Sequence, residues 1–567
     1  MLQATHQIDE RTEQRTGGRL LVDCLLAHGV DTVFCVPGES YLTVLDALYD
    51  VPDKVRIIVG RHEASVANMA EAYGKLTGKP GICFVTRGPG ATHASIAVHT
   101  AQQDSTPMIL FIGQVSRNQV GREAFQELDY AKLFGGTTKM VAEIVDAGRV
   151  PEILGRAFHT AVNGRPGPVV ISLPEDMQDD LCDAQPTAHY QRAATAPSAK
   201  ALETFRQMLA SAERPLLIVG GGGWSQQAVD GLKAFAEGAT LPVANGFRRQ
   251  DLFNNTHPHY VGDIGIATNP ALIEMLQSAD LLIALGERLG DMTSAGYTLL
   301  DLPRTKQKLI QINAGAELLG TLYEGDLLIN ASPEGFLDVV AGLNDTGSAD
   351  RAAWIAKGRQ HYEEFSIPPT ENHPKVDVAA IVRELSERLP GNATITNGAG
   401  LYTYFVHRYY QYRDYGSQLA PTSGAMGYGV PAAIAAKVVH PDRPAVCFAG
   451  DGCFMMAAQE LATAVMHKLP IVVIVIDNSC YGSIRGHQER YYPGRVVATD
   501  LVSPDFVAFA QSFGAYGERI EATEDFGPAL ERALASGLPA VLTFRQYIGE
   551  VVKLGKPECA VLEGAVA

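Results

Sequence analysis

The chain has 567 residues and a formal charge of −17. That length exceeds what one hydrophobic core can organise, so several domains are expected; that charge, with no cluster of Lys and Arg, excludes nucleic acid as a partner. Eight cysteines lie scattered without a C-x-x-C pair, which argues against a zinc site or a disulfide framework and fits a reducing cytoplasm. Apolar runs stay at strand length, well short of the roughly 20 residues a membrane span needs, so the protein is read as cytoplasmic.

Residues 1–17 are polar and mixed in charge, and read as a flexible lead-in without the apolar stretch of a secretory signal. Short β-rich runs then alternate with amphipathic stretches: 55–59, 81–86, 108–112, 168–173, 215–219, 281–285, 309–312, 445–449, 471–476 and 540–544. Such alternation predicts α/β architecture with parallel sheets covered by helices. Two small, polar stretches interrupt it, 186–200 and 342–350, and read as linkers between three doubly wound domains. In the first domain Cys83-Phe84 ends a strand, Gly88 follows four residues later, and Pro107 opens the next strand after nineteen more. In the third, Cys447-Phe448, Gly452 and Pro470 recur at spacings of four and eighteen. Two related domains flanking a different middle one explain the repeat, although any two strand-helix-strand units share some of it. The middle domain is expected to be Rossmann-like. Its glycine run Gly220-Gly221-Gly222-Gly223 has Ser225 in the last slot of a G-x-G-x-x-G pattern, so a tight strand-to-helix turn is favoured over a dinucleotide fingerprint.

The strongest chemical signal lies in the last third. A buried strand at 445–449 runs into Gly450-Asp451-Gly452, where parallel sheets place their ligands. Gly450 and Gly452 let the backbone approach an anion, and Asp451 supplies a hard oxygen for a divalent ion. A helix is expected from about 453 to 467, followed by a second buried strand, 471–476, that ends in Asp477-Asn478-Ser479-Cys480. Asp-Gly alone is a common turn; paired with Asn478 at the next strand end it indicates a site for magnesium and a diphosphate.

Gly450-Asp451-Gly452 with Asn478 at 27 residues after Asp451 resembles the motif of the thiamine diphosphate-dependent enzymes, acetolactate synthase-like, in the group that also holds pyruvate oxidases and 2-oxo acid decarboxylases. The resemblance runs from about Gly18 to Phe544. It implies that Asp451, Asn478 and the main-chain carbonyl of Cys480 bind Mg2+, and that Met426, in Ser423-Gly424-Ala425-Met426-Gly427, props the cofactor in a bent form. On its own, Met426 reads as a core filler. Gly60-Arg61-His62-Glu63 matches the family's RHE motif, which implies that Glu63 bonds the aminopyrimidine ring and shares a proton with it to activate the thiazolium carbon; without the family, Glu63 reads as a helix-dipole partner. Thr86-Arg87-Gly88-Pro89-Gly90-Ala91-Thr92 resembles the loop that lines the pyrimidine pocket, with Arg87 in place of a small residue. The division implied is a pyrimidine-binding domain over 18–185, a central domain over 201–342, a diphosphate- and magnesium-binding domain over 375–548, and a tail over 549–567 that is either a lid or a surface strap. The family also implies a homodimer or homotetramer with the site between subunits.

The reaction is less legible. Phe125-Gln126-Glu127 resembles a segment whose glutamine contacts substrate, which makes Gln126 a candidate; a surface amide is the plain alternative. Glu39, after Pro37-Gly38, stands where acetolactate synthases carry Gly, and is either a proton-handling acid or a solvated loop residue. His487, in Arg485-Gly486-His487-Gln488, replaces a tryptophan and changes the acceptor pocket's volume and polarity. The stretch 261–270 lacks the Met-His of flavin-binding members, which argues against FAD. The resulting expectation is a decarboxylase or carboligase that acts on a 2-oxo acid and a carbonyl acceptor. Its rivals are a flavin-linked oxidase of the same fold and a non-catalytic cofactor-binding regulatory subunit.

Overall fold

A computed structural model describes residues 14–343, 349–369 and 375–546. The tail 549–567 lies outside them, as do residues 1–13. Three six-stranded sheets, each with every strand parallel to its neighbours, form three α/β domains. Their central strands are continuous apolar runs buried on both faces, such as Met108–Gln114, Leu281–Leu285 and Val472–Asp477, as parallel sheets clad by helices require.

The first sheet runs in the order Arg56–Val59, Thr32–Cys35, Gly81–Val85, Met108–Gln114, Pro168–Pro174, Met140–Glu143. The third runs Gln418–Leu419, Thr394–Asn397, Ala445–Gly450, Val472–Asp477, Ala540–Arg545, Tyr516–Arg519. Numbered within each domain, both orders read 2-1-3-4-6-5, so the relation expected from the spacing repeat holds across the whole sheet. The middle sheet runs Tyr260–Asp263, Val243–Asn245, Pro215–Val219, Leu281–Leu285, Lys308–Asn313, Leu327–Asn330. That is the 3-2-1-4-5-6 order of a Rossmann fold.

Three local expectations need correction. Within the lead-in read over 1–17, Arg15–Thr16 pair antiparallel with Leu181–Cys182, and Thr16 caps the helix Gly17–Ala27 by accepting the Arg19 N–H. The helix expected over 453–467 is two pieces, Asp451–Met455 and Glu460–Met466, and the break turns Glu460 inward against the first domain. Residues 349–350, taken as linker, belong to the helix Ala349–Phe365, which packs on the middle domain; the buried Arg351 donates to the carbonyls of Leu209, Ala212 and Ala239.

Domains one and three share one core. Helices Glu63–Thr77 and Gly429–Val439 meet through small residues, including Ala67, Ala70, Ala432, Ala433 and Ala436. Inside this seam the Tyr428 hydroxyl donates to the fully buried Glu71 at 2.5 Å, and Lys75 pairs with Asp104 at 2.7 Å. Two side chains of the helix Glu460–Met466 and its cap also reach the first domain: Glu460 accepts the Arg61 N–H at 3.3 Å, and His467 accepts that of Val59 at 3.1 Å.

Candidate active site

In a 2-1-3-4 sheet, neighbouring connections leave in opposite directions between strands 1 and 3, and ligands bind in the crevice at their carboxyl ends. In the third domain that crevice is a cavity of about 250 Å³. Gly400 and Tyr402 enter its wall after strand one, Gly450, Asp451 and Gly452 after strand three, and Asn478 and Cys480 after strand four. Met426 completes the wall, half-buried, with its stem on the domain core.

The backbone is shaped for a close guest. A Cβ on Gly452 would lie 2.7 Å from the Tyr481 ring, so only hydrogen fits. Ser479, at φ 52°, takes the left-handed conformation that non-glycine residues rarely adopt, and it turns the chain sharply after Asn478. Cys480 then bridges to Asp500, with the ladder bonds made by its neighbours: Tyr481 N–H to Thr499 O and Leu501 N–H to Ser479 O.

Asp451 is 3% exposed. Burial, then the nearby Asp477 carboxylate, push its carboxyl up to about 6. Ser503 bridges the two acids, donating to Asp451 at 3.1 Å or to Asp477 at 2.9 Å. Arg545 pairs with Asp477 at 3.1 Å and not with Asp451. The buried Asp451 therefore faces a glycine-lined hollow with an excess of negative charge, as a hard divalent cation requires. The Asn478 amide lies beside it, its oxygen accepting the Cys480 N–H at 3.1 Å and its nitrogen donating to Gln546 at 3.4 Å. Asp451, Asn478 and Cys480 thus line one cavity, and carboxylate, amide and main-chain oxygens are the donor types a hard divalent cation takes.

In the first domain the predicted residues gather at the equivalent carboxyl edge. Glu63 follows strand two and opens the helix Glu63–Thr77. Glu39 follows strand one and is exposed; its neighbour Ser40 lies 3.1 Å, hydroxyl to hydroxyl, from Thr86. Gly88 and Gly90 open the helix Gly88–Asp104 after strand three, and Glu63 Cγ packs beside Gly90. Gln126, at φ 64°, curls back so that its carbonyl accepts the Gly88 N–H at 3.0 Å, while Phe125 is 78% exposed beside it. Arg87 is tied to Glu175, which locks the base of this loop.

Two predicted site residues lie outside the cavity wall around Asp451 in the single chain. Every residue of the cavity wall around Asp451 comes from 399 onward, so Glu63 does not line it. His487, on the helix Gly482–Tyr491, is exposed and stacks on Tyr491 at 6.1 Å; it is not part of that wall either. In the stretch 261–270, Asp263 is buried against His407 at 3.3 Å, and Val261 lines a separate cavity of about 200 Å³. Ser225 caps the helix Gln226–Gly238, as a strand-to-helix turn demands, and the glycine run before it opens at Gly221 on a separate cavity of about 410 Å³.

Three contributors escaped the sequence. Ser503 and Gln546 lie in segments with no motif, and His93 directly follows the Thr86–Thr92 loop, where a lone histidine carries no signal of its own.

Comparison with known proteins decides the family. The chain matches the N-terminal TPP binding domain of thiamine pyrophosphate enzymes over 15–133, their central domain over 202–340, and their C-terminal TPP binding domain over 398–544. The chain belongs to the thiamine pyrophosphate enzymes. Within this family it is acetolactate synthase-like. It is 32% identical to the acetolactate synthase large subunit of Parasynechococcus marenigrum (strain WH8102), over 94% of this chain and 88% of that one. It is 31% identical to the acetolactate synthase isozyme 2 large subunit of Escherichia coli (strain K12), over 93% and 94%. It is 31% identical to the probable acetolactate synthase large subunit of Methanocaldococcus jannaschii, over 93% and 91%. Thiamine diphosphate-dependent carboligase chemistry follows from this membership.

Proposed function

We propose that this enzyme decarboxylates a 2-oxo acid and joins the remaining fragment to a carbonyl acceptor, using thiamine diphosphate held through Mg2+ in the Asp451 cavity. The observation that carries the reading is the convergence of Asp451, Asn478 and Met426 on one glycine-lined hollow. When bound, thiamine diphosphate supplies an electron sink for cleaving a bond next to a carbonyl. The chain supplies the rest. Asp451, Asn478 and the Cys480 carbonyl would hold the cation, and Gly450 and Gly452 admit the diphosphate. Met426 would press against the middle of the cofactor, and Glu63 would hold a proton at the aminopyrimidine. Gln126, whose main-chain carbonyl accepts the Gly88 N–H, would offer its amide to a substrate carboxylate or carbonyl; Glu39 would be a second acid on the same edge, and His487 is assigned to the acceptor side.

Because Glu63 lies outside the cavity wall, the site is completed by a second subunit of a homodimer or homotetramer. Incubation with thiamine diphosphate, Mg2+ and a panel of 2-oxo acids, alone and with aldehydes, should yield carbon dioxide and a coupled hydroxyketone. Glu63→Gln should lose this turnover while still binding the cofactor. Full turnover by Glu63→Gln would refute the assigned role.

A further inference from the structure

The helices Glu63–Thr77 and Gly88–Asp104 begin side by side, and a small polar assembly joins their starts. Nδ1 of His93 lies 2.8 Å from Oε2 of Glu63. In the tautomer that carries its proton on Nδ1, the imidazole donates to this carboxylate oxygen. The His93 side chain is 52% exposed against 15% for Glu63.

The ring is itself restrained. His62 packs on it with centroids 4.5 Å apart and planes 31° apart. The His62 ring is fixed in turn, because its Nδ1 accepts the Ala64 N–H at 3.1 Å and caps the helix that Glu63 opens. Behind the carboxylate, Gly90 offers a bare backbone against which Glu63 Cγ lies. A flexible side chain is thus held at its stem by packing and at one oxygen by a donor. Among the described residues, Oε1 makes no hydrogen bond and is the oxygen free for a ligand.

We propose that His93 is a positioning residue for Glu63: its Nδ1–H fixes Oε2, so that Oε1 is presented to the aminopyrimidine ring in one orientation. This rests on the reading of Glu63 given under Proposed function. Proton transfer depends on placement at hydrogen-bond distance, and a Glu side chain released from its anchor spreads over several rotamers. His93 acts through Glu63 and needs no contact with the cofactor itself.

The test uses the full-length protein with thiamine diphosphate and Mg2+ but no substrate. Two quantities are measured for wild type, His93→Ala, His93→Asn and Glu63→Gln: the cofactor Kd by titration, and the rate at which the cofactor C2 proton exchanges into D2O, by quenched-flow NMR. His93→Ala should slow exchange by about tenfold or more with Kd held within about twofold, because orientation is lost and not binding. His93→Asn, whose amide nitrogen reaches the place of Nδ1, should recover most of the rate. Wild-type exchange in His93→Ala, or His93→Asn as slow as His93→Ala, would overturn the proposal. Loss of cofactor binding in His93→Ala would overturn it too, by assigning the residue to packing. Glu63→Gln separates the two levels: if it exchanges at the wild-type rate, the failure lies in the role given to Glu63 and not in the His93 contact.

Discussion

Glu71 shows how a single proton couples the seam between domains to pH. Its carboxyl is wholly buried, and burial, followed by the charge of Asp104, raises it from the ordinary 4.5 to about 7. Between those values the folded chain keeps a proton that the unfolded chain has released. The folded state binds more protons there, so this group's contribution to stability falls as pH rises from 4.5 to about 7. Glu71→Gln, whose amide oxygen still accepts from Tyr428, removes that dependence. Denaturant unfolding at pH 5 and pH 8 should show a smaller loss of stability for Glu71→Gln than for wild type across that interval; equal losses would show that Glu71 titrates normally. Gly452 is the corresponding position for binding. In Gly452→Ala the new methyl meets the Tyr481 ring at 2.7 Å, so either the ring or the turn moves. Cofactor affinity should fall by about tenfold or more, since placement of the diphosphate turn is what is lost, while far-ultraviolet circular dichroism stays unchanged. At this scale the sequence is legible where a residue type has few uses. Asp451 between glycines, Asn478 at a strand end and Glu63 at a helix start each carry a pattern. Ser503 and His93 do not, because each joins the site through a tertiary contact that leaves no local periodicity.

Among elements, the ten runs read from the sequence all became strands; most are apolar enough to be buried on both faces, while Arg56–Val59 is a partly exposed edge strand. The strands that escaped have two to four residues each; Thr32–Cys35 and Thr394–Asn397 are buried throughout but only four residues long. Val243–Asn245 has three residues, Gln418–Leu419 has two, and Met140–Glu143 and Tyr516–Arg519 are half-exposed edge strands. Edge strands keep polar side chains because one side of the ladder is open, so the pattern that reveals a central strand is missing. The break between Asp451–Met455 and Glu460–Met466 was equally hidden, since Cys453 to His467 has no proline or glycine to mark it. Element packing yields its own prediction at Gly81. A Cβ there would lie 1.8 Å from the Ala70 carbonyl oxygen, which means the strand Gly81–Val85 touches the backbone of the helix Glu63–Thr77. Gly81→Ala must push that helix off the sheet, at a cost of about 1–3 kcal/mol for overpacking. Chemical denaturation should show the loss; because the helix carries Glu63 at its start, cofactor activation should weaken with it. Unchanged stability would mean that the helix and strand separate without cost.

On the scale of the whole molecule, the matching 2-1-3-4-6-5 orders place equivalent crevices on domains one and three, yet the chain does not close one on the other. Their helices Glu63–Thr77 and Gly429–Val439 are committed to each other in a shared core, and the wall around Asp451 takes nothing from the first domain. The exposed apolar side chains Phe125, Ile484, Tyr491 and Tyr492 flank the two edges that would have to meet, consistent with burial by another copy. The arrangement proposed, with Glu63 from one subunit and Asp451 from the next, makes an arithmetic prediction. Glu63→Gln and Asp451→Ala should each be inactive as pure proteins. Refolded or co-expressed together in equal amounts, about half of the dimers pair one chain of each kind. Each mixed dimer has one site carrying both lesions and one carrying neither. Activity should therefore return to roughly a quarter of wild type in a two-fold symmetric assembly. If Glu63 and Asp451 of the same chain served one site, every site in the mixture would carry a lesion, and mixing would restore nothing.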